Sequence, residues 1–362
     1  MPDPSFPEIL MVNYVGSGQR EDIVAEITQY PLIGDLWASK AAKLANITVP
    51  AYIVASYSNL IHTPGTFRGW RRINSTNKWL RIHASMEWPD FNERESQDDL
   101  RRFFDHYLKG IDNGWETTAP VRYSVLDLEG GDRTQLPATQ FPPTDFTTTR
   151  FYLDGASHAL SRQEPTGAVA TSYDSESETD DVSFTVTFDE ETELVGYPKA
   201  QLWVESDGYD DMDLFVLLQK LDANGVPLEQ FNVPNQGEMM DNLTRNGASI
   251  LKYKGSNGRL RVSLRHLDDA HSTDEVPAHT FDRVEKLASG AIVAVEIDMF
   301  PVGLAFHPGE QLRLVINGFN RLGGVMPQRA TVVPDNKGRH VIHTGRSHAS
   351  YLQVPVKVIA TK

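Results

Sequence analysis

The sequence predicts two kinds of structure in one chain, an α/β portion up to the Asn113-Gly114-Trp115 segment and an all-β portion after it. In the first portion, apolar runs typical of buried strands alternate with segments of helical period, as in a parallel α/β sheet. In the second portion, many short strands follow one another without helices, which indicates a β-sandwich or jelly roll. The 362 residues are 40% hydrophobic and 23% charged, a balance that supports packed cores and excludes global disorder.

The α/β portion is predicted from the order of its patterns. The segments of helical character are 20–30, 34–45, 65–72 and 97–109. Two short apolar runs typical of buried strands lie at 49–56 and 78–83. Strand, helix, strand and helix in this order predict the tail of a parallel sheet with helices packed on it.

The segment 97–109 is the clearest helix of the sequence. Its apolar side chains recur at the spacing that puts them on one face of an amphipathic helix, namely Leu100, Phe103, Phe104, Tyr107 and Leu108. Ser96, with Asp99 three residues later, resembles a capping box that would begin the helix. Gly110 is the residue expected to end it.

The all-β portion is predicted from short strands separated by turn residues. The candidate strands are 121–127, 148–153, 182–188, 200–206, 213–221, 260–266, 291–298, 311–317 and 351–358. Asn224-Gly225 after one of them is a strong turn signal, and the polar segment 228–258 is predicted as a long loop. The predicted units are residues 1–127, a linker rich in Pro and Thr over 128–147, and residues 148–362.

Charge and composition exclude several classes of function. The net charge of −15 and the pI near 5.2 make nucleic-acid binding through a basic face an unexpected function. With no cysteine, the chain has no disulfide, thiolate zinc site or cysteine nucleophile. No apolar run reaches the ~18 residues of a membrane span, and the first residues lack the features of a secretory signal. We therefore expect a cytoplasmic protein without a membrane partner.

A serine nucleophile is not evident in the sequence. The G-x-S-x-G motif, which exposes a serine on a sharp turn between strand and helix, does not occur. The nearest string is Gly155-Ala156-Ser157-His158-Ala159, but no apolar helix follows it. Ser157 therefore lacks the helix that would expose its hydroxyl and help to form an oxyanion hole.

Two histidines lie where the predicted parallel strands end. His62 follows the first strand and His83 ends the second, and open α/β sheets place their sites at the carboxyl ends of strands. Glu87 and Asp90 come a few residues after His83, which allows an acid–base pair of histidine and carboxylate. The alternative is that His83 and the nearby Trp88 only pack or form hydrogen bonds in a loop at the sheet edge.

Two groups in the all-β portion contain metal-ligand residue types. His340 and His343 have a spacing seen in metal sites, but they flank an apolar strand and no third ligand is placed, so a structural role is the alternative to a metallohydrolase site. Asp210, Asp211 and Asp213 offer carboxylates to calcium, but they alternate with apolar residues as at the start of a strand. We expect no metal and no cofactor.

Five groups of motifs, taken together, resemble one known family over most of the chain. They are VPAYIVASYSN at 49–59 with HTPGT at 62–66; KWLRIH at 78–83 with EWPD at 87–90; FFD at 103–105, LKG at 108–110 and NGWE at 113–116; GRLRVS at 258–263 with Arg265; and HVIHTG at 340–345. The chain is similar to the C-terminal two thirds of the CocE/NonD hydrolases, the cocaine-esterase and X-Pro dipeptidyl-peptidase group.

The resemblance implies an α/β-hydrolase domain with a helical cap, followed by a jelly-roll domain of the galactose-binding type. Members of the family hydrolyse esters or amides with a Ser-Asp-His triad and need no cofactor. This sequence would contain a cap remnant, the last strands and the terminal helix, whereas the strands with the nucleophile elbow and the early oxyanion donor have no counterpart in it.

The two remaining triad positions differ from the family pattern. Asn59 stands at the acid position, where its amide can orient an imidazole but cannot stabilise imidazolium by charge. Met86 stands at the base position and can neither accept nor donate the proton. His83 and Glu87 lie close enough in the sequence to act as a shifted base and its partner.

The leading hypothesis for function is a serine-hydrolase-family protein, for acyl ester or X-Pro peptide hydrolysis of the dipeptidyl-peptidase type, whose nucleophile segment is absent from this chain. Its substrate would be a small acyl or peptide compound, and a homo-oligomer or a complementary hydrolase half would cover the open edge of its short parallel sheet. The alternative is a non-catalytic jelly-roll module that binds carbohydrate or protein. Trp203 and Tyr209 are candidate stacking platforms for it, although core packing is the more ordinary role for Trp203.

Overall fold

A computed structural model describes residues 23–129, 131–233, 251–322 and 334–360. The helices are α1 (Ile23–Gln29), α2 (Asp35–Lys40), α3 (Thr63–Arg72), α4 (Glu87–Asn92) and α5 (Arg94–Lys109). Among the helices of these ranges, none is long and apolar enough to cross a membrane.

The α/β portion contains a four-stranded mixed sheet. Its strands, in their order across the sheet, are β1 (Ala51–Ser56), β2 (Lys78–His83), β3 (Val121–Val125) and β4 (Arg133–Ala138). β1, β2 and β3 are parallel, and α3 crosses from β1 to β2, as the sequence predicts. β4 is antiparallel to β3 and lies within 128–147, so the segment predicted as a linker contributes a strand to this sheet.

The helix α5 differs in two ways from the sequence prediction. It begins at Arg94, so Ser96 lies inside the first turn and forms no cap; its Oγ instead donates to Asp90 Oδ1 at 3.3 Å. Phe103 is buried against Trp79 and Trp115, whereas Phe104 and Leu108 are 50% and 77% exposed. A helix that contacts the sheet along one narrow line buries only part of a wide apolar face. Gly110 ends the helix at φ 68°, as predicted.

The described residues of the all-β portion form 13 strands in one branched sheet and a separate two-stranded pair. The strands are β5 (Thr147–Asp154), β6 (Ala159–Ser161), β7 (Val169–Asp174), β8 (Val182–Thr187), β9 (Thr192–Gly196), β10 (Lys199–Asp207), β11 (Asp213–Leu221), the pair β12 (Gln230–Phe231) and β13 (Lys252–Tyr253), β14 (Ser256–Arg261), β15 (Val293–Asp298), β16 (Val302–Phe306), β17 (Gln311–Asn317), β18 (Arg339–Thr344) and β19 (Tyr351–Val358). All ladders of the large sheet are antiparallel except the contact of β6 with β8.

Of the strands predicted for this portion, 121–127 instead forms β3 of the α/β sheet, and the others lie in the large sheet with one shift and several additions. The strand expected at 260–266 is displaced, because β14 ends at Arg261 and a 3₁₀ turn follows. Asn224-Gly225 forms the predicted turn, with Gly225 at φ 82°. Of the predicted loop 228–258, residues 234–250 lie outside the described residues, and its two ends form β12, β13 and the start of β14.

The two sheets meet at the end of β3. The backbone N–H of Leu126 donates to Gly303 O and the N–H of Ala305 to Leu126 O, both at 2.9 Å, which extends β3 onto β16. One continuous apolar core runs from the α/β sheet into the large sheet. The division into residues 1–127, 128–147 and 148–362 therefore stays a prediction, because no gap in packing marks it.

A cluster of charged residues stabilises the junction between the two sheets. Lys220 is fully buried, and its Nζ lies 2.6 Å from Asp127 O and 2.9 Å from Glu310 Oε2. His307 bridges two carboxylates, with Nε2 at 3.0 Å from Asp127 Oδ1 and Nδ1 at 2.9 Å from Glu191 Oε1. The hydrogen bond to Glu191, together with Asp127, raises the pKa of His307. Imidazolium is therefore favoured where the two portions join.

We expect the contribution of His307 to the free energy of unfolding to decrease as the pH rises. Because its pKa is higher in the folded than in the unfolded protein, this contribution is complete below the unfolded pKa and is lost through the folded pKa. Urea unfolding of wild type and His307→Gln should give a difference in stability that shrinks as the pH rises above the ordinary histidine pKa of about 6.5. A difference that stays constant as the pH rises would contradict the assignment.

Candidate functional site

The predicted site residues lie at the carboxyl ends of β1 and β2. The last residues of the two strands, Ser56 and His83, are register partners, so the turns that follow them are neighbours. The first turn leads through Asn59 into α3, and the second leads through Glu87 into α4. This is the edge at which open parallel sheets place their functional groups.

Asn59 and Glu87 contact each other directly. Asn59 Nδ2 donates to both carboxylate oxygens of Glu87 at 2.6 Å, and Asn59 Oδ1 accepts the backbone N–H groups of Ile61 and His62 at 2.7 Å. Asn59 is only 2% exposed, so both ends of its amide are fixed by these partners. An amide can accept from the backbone and donate to a carboxylate at the same time, which a carboxylate at this position cannot do.

His62 lies on the other side of Glu87. Its Nε2 is 3.9 Å from Glu87 Oε1, and its side chain is 67% exposed against 33% for Glu87. At 3.9 Å the two groups are within the distance of an ion pair but beyond that of a direct hydrogen bond. The structure therefore brings together Asn59, Glu87 and His62.

His83 is in a different environment. It is 6% exposed, and burial lowers its pKa to about 4, so the imidazole is neutral at pH 7. Its Nδ1 lies 3.9 Å from Asp90 Oδ1, beyond hydrogen-bond distance. Asp90 is instead bound through both oxygens by Arg81, at 2.7 and 2.6 Å. The carboxylate nearest to His83 is thus already neutralised.

The ion pair of Arg81 and Asp90 belongs to a buried network that the sequence analysis missed. Arg81 Nε donates to Tyr52 Oη at 2.9 Å, and Tyr52 Oη donates to Asp99. Arg122 Nη2 binds Asp99 Oδ2 at 2.6 Å. Burial alone would raise the pKa of Asp90, but hydrogen bonds from Arg81 and the neighbouring positive charge hold it below its usual value. Arg81 lies inside a strand that the sequence predicts to be buried. Because a buried charge needs a partner of opposite charge, this arginine could have indicated the acid beside it.

Met86 and the neighbouring serines support the turns. Met86 is fully buried, and its backbone N–H donates to Asn232 O at 2.6 Å. Ser56 Oγ lies 3.0 Å from Ser58 Oγ and donates to Ser85 O at 2.7 Å. These contacts hold the turns after β1 and β2 together, and they use both hydroxyls for this purpose.

Ser157, considered above as a nucleophile, lies in the exposed turn after β5. Its Oγ donates to Asp154 Oδ2 at 2.7 Å, and His158 Nδ1 lies 3.2 Å from Ser183 O. The hydroxyl therefore donates to an exposed carboxylate, while the adjacent imidazole contacts a backbone oxygen, so Ser157 and His158 form no nucleophile–base pair.

Two groups were considered as metal ligands: His340 with His343, and the three acidic residues near the start of β11. The histidines are separated from each other, and the acids bind partners within the protein. His340 faces the core and contacts Tyr173 Oη at 2.8 Å, whereas His343 is on the opposite face of β18 and lies 2.9 Å from Glu205 Oε2. Residues three apart on a strand point to opposite faces, so the chelating hypothesis is wrong for this pair. Burial also lowers the pKa of His340 to about 4. Within the described ranges, His, Asp and Glu form no group of three or more that could hold a metal.

The acidic residues 210, 211 and 213 each have partners within the protein. Asp210 binds Lys286, Asp213 is bound through both oxygens by Arg261 at 2.7 Å, and Asp211 accepts from the backbone and side chain of Ser263. These contacts engage carboxylate oxygens that a calcium ion would need, and of the three residues Asp213 begins β11.

Comparison with known proteins identifies the family. Residues 113–353, well over half of the chain, match the model of the X-Pro dipeptidyl-peptidase C-terminal non-catalytic domain. The chain belongs to this family. The resemblance to the CocE/NonD hydrolases, which the motifs indicated, is confirmed with it.

Similar proteins are longer than this chain. A CocE/NonD family hydrolase from Staphylococcus aureus is 34% identical, with a TM-score of 0.84 over 93% of this chain and 59% of its own. An aminopeptidase from a marine sediment archaeon shares the fold at 13% identity, with a TM-score of 0.66 over 96% of this chain and 62% of its own. Proteins of Mycobacterium bovis and Mycobacterium tuberculosis, assigned by name to the serine esterases, are 24% identical over 327 residues. This chain covers 46% of their length, so it spans about half of the curated relatives it matches.

Replacing Asn59 by Asp tests the contact at the centre of the site. Two facing carboxylates raise the pKa of one another, so we expect Asn59→Asp to lose about 2 kcal/mol of stability at pH 8. Because the pKa of the pair is raised in the folded protein, the loss is complete above that pKa and is relieved as the pH falls through it. The measurement is urea unfolding at several pH values.

Asn59→Ser is the matched control. It keeps an oxygen that can accept from the backbone of Ile61 and His62, and it adds no charge beside Glu87. Its deficit should be independent of pH through the range in which Asn59→Asp recovers. Equal pH dependence of the two variants would show that Glu87 does not face residue 59.

Proposed function

We propose that this chain is the C-terminal portion of a serine hydrolase that cleaves acyl ester or X-Pro peptide bonds, with dipeptidyl-peptidase-like specificity as one form of this activity. The serine would come from a hydrolase segment that this sequence does not contain. The observation that carries the proposal is the contact of Asn59 with Glu87, beside His62, at the carboxyl edge of a parallel sheet in a chain of hydrolase ancestry. In this proposal the α/β portion is the end of an α/β-hydrolase domain with a cap remnant, and the β portion is a jelly roll of the galactose-binding type.

The open side of the α/β sheet supports the need for a further segment. β1 is the outer strand of the sheet, and its residues 51–54 are only half-buried. Ten of the fourteen exposed large apolar side chains of the described residues lie between positions 27 and 111: Ile27, Tyr30, Ile33, Val49, Ile61, Trp88, Phe91, Phe104, Leu108 and Ile111. Parallel sheets are normally covered on both faces and protected at their edges. A complementary hydrolase half that adds a parallel strand to β1 meets both requirements, and a second copy of the chain is the competing occupant.

In this proposal the residues at the carboxyl edge of the sheet have different chemical roles. His62 is the candidate base, which would accept the proton of the serine hydroxyl as it attacks the acyl carbon and then transfer it to the leaving alcohol or amine. Glu87 would stabilise the imidazolium by charge, and Asn59 would position Glu87. The burial of His83 and the binding of its neighbouring acid Asp90 by Arg81 support a structural role for His83 in this proposal.

Labelling of the purified chain by a fluorophosphonate probe, with hydrolysis of acyl esters and X-Pro anilides, tests the proposal. The chain alone should be neither labelled nor active. Adding the N-terminal segment of the staphylococcal relative should produce activity that requires His62 and Glu87, with His83→Gln as a structural comparison. Labelling of the chain alone that persists in Ser157→Ala would overturn the proposal.

The second candidate function is a non-catalytic module that binds carbohydrate or protein. Trp203 lies on the face of β10 opposite the core residues Leu202 and Val204, half-buried and 5.0 Å from the ring of His348, so the core role expected for Trp203 does not apply. Tyr209 is less suited to stacking, since two lysine ammonium groups already lie over its ring at 4.9 and 5.5 Å. Glycan-array binding by the whole chain that is lost in Trp203→Ala would favour this function, and the absence of any retained glycan would count against it.

A further inference from the structure

One edge of β5 is open for half of its length. On one side, β5 pairs with β19 from Thr147 to Tyr152. On the other side, β6 pairs only with Tyr152–Asp154, because β6 has three residues and the chain leaves the sheet at Arg162. Among the strands that the structure describes, none continues this side from Thr147 to Phe151. Alternate backbone N–H and C=O groups there are available to an added strand.

A cleft of about 590 Å³ lies along this part of β5. Its walls come from β5, from the residue after β6, from a loop and from β19: Thr148, Thr149, Arg150, Tyr152, Arg162, Asp274, Glu275 and Gln353. Its volume is within the range of sites that bind small molecules and peptides. Three consecutive residues of β5 line it, as expected for a cleft that follows the edge of a strand.

Internal hydrogen bonds hold the walls of the cleft in place. Gln353 is 3% exposed; its Nε2 donates to Asp274 O at 2.7 Å, and its Oε1 accepts from Arg150 Nε at 3.1 Å. The loop that carries Asp274 and Glu275 is closed by the N–H of Thr273, which donates to the carbonyl oxygen of a buried valine, Val276, at 3.0 Å. The site therefore needs little rearrangement to accept a ligand.

The cleft contains both positively and negatively charged side chains, and these do not form ion pairs with each other. Arg150 and Arg162 stand on the strand side, and Asp274 and Glu275 on the loop side. With the residues that the structure describes, none of these four forms an ion pair within 4.0 Å, although Glu275 Oε1 accepts from Thr148 Oγ1 at 3.3 Å. The guanidinium of Arg150 lies 4.6 Å from the centre of the Tyr351 ring, and its Nε donates to Gln353 Oε1.

From the open edge, the cleft and its unpaired charges, we propose that an extended peptide segment carrying both an acidic and a basic group binds here as a strand added to β5. The peptide would continue the line of β6 and form backbone hydrogen bonds with Thr147–Phe151, the mode of β-augmentation. Its acidic group would bind Arg150 and Arg162, and its basic group would bind Asp274 and Glu275. The site is independent of the proposed hydrolase function.

The test uses the whole chain and a capped hexapeptide in which valine alternates with glutamate and lysine, measured by isothermal titration. We expect saturable binding with a Kd below about 1 mM. Arg162→Glu should weaken it about tenfold or more, because the acidic group then meets a like charge. Arg94→Glu is the matched control, since the side chain of Arg94 on α5 is 95% exposed and does not line the cleft.

Two further comparisons separate an added strand from simple charge attraction. The same peptide with N-methylated backbone amides keeps its charges but cannot donate to β5, so its binding should be lost. Glu275→Gln should weaken binding of the parent peptide but not of a peptide without lysine. Equal binding of the methylated peptide, no saturation, or equal affinity of Arg162→Glu and wild type would each overturn the proposal.

Discussion

Replacing Arg81 by methionine is expected to lower the free energy of unfolding by about 3–5 kcal/mol, the usual cost of leaving one partner of a buried ion pair uncompensated. Arg81 and Asp90 are 4% and 6% exposed and form two hydrogen bonds of 2.7 and 2.6 Å. In Arg81→Met, the carboxylate of Asp90 would remain buried with His83 as its nearest cationic candidate at 3.9 Å. Chemical unfolding measures the loss.

The pKa of His83 provides a second readout of the same change. Burial is the main reason that this pKa lies at about 4, and the charge of Arg81 lowers it further. In Arg81→Met we expect it to rise, because the positive charge is lost and Asp90 becomes available to imidazolium; NMR titration of the ring would show this.

Arg102→Met is the matched control for Arg81→Met. Arg102 lies 3.8 Å from Asp99 with its side chain 43% exposed, and its loss should cost less than about 1 kcal/mol. Equal effects of the two variants would show that the Arg81–Asp90 pair contributes no more than a surface contact. The double variant Arg81→Met/Asp90→Leu should recover much of the stability, since it leaves no buried charge.

Adding one methyl group at Gly303 is expected to lower the free energy of unfolding by about 1–3 kcal/mol. A Cβ at Gly303 would lie 2.5 Å from Ser124 O and 2.6 Å from Cε2 of Tyr57, a ring that is fully buried. Neither atom can move easily, because Ser124 is part of β3 and Tyr57 begins the turn that carries Asn59. Relief of the clash would separate β16 from β3 and disturb the candidate site.

Gly69→Ala is the control for Gly303→Ala. Gly69 lies in α3, and a Cβ there would meet nothing within 4 Å. Alanine favours a helix over glycine by up to about 1 kcal/mol, so this variant should be at least as stable as wild type. A Gly303→Ala protein that unfolds at the same urea concentration as Gly69→Ala would show that the sheets do not meet closely.

Local elements were well predicted where one pattern dominates. The apolar runs at 49–56 and 78–83 form β1 and β2 within two residues of the expected bounds, and Gly110 ends α5. Within the predicted linker 128–147, the strand Arg133–Ala138 pairs with β3 although its sequence has no clear alternation. The strand Arg133–Ala138 is stabilised by hydrogen bonds to its neighbour β3. Such bonds cannot be predicted from the residue pattern of the segment alone.

In the candidate site too, the sequence predicts the segments and the tertiary structure decides the contacts. The resemblance put Asn59 at the acid position and Glu87 next to the base position, and the register of Ser56 with His83 brings their side chains into contact. Both His62 and His83 followed apolar strands, and the sequence could not decide which one is exposed beside a carboxylate. Burial decides it, since His83 faces Arg81 and Asp90 inside the sheet and His62 faces solvent beside Glu87.

The sequence by itself determined the mixed α/β and all-β character, the family and the segments that carry the candidate site, because periodicity, turn residues and motifs are local properties of the chain. The tertiary structure decided which charges are paired, which faces of the strands are covered and where β3 joins β16. These properties depend on residues far apart in the sequence, such as Asp127 and His307, or Asn59 and Glu87, which become neighbours only when the sheets have formed.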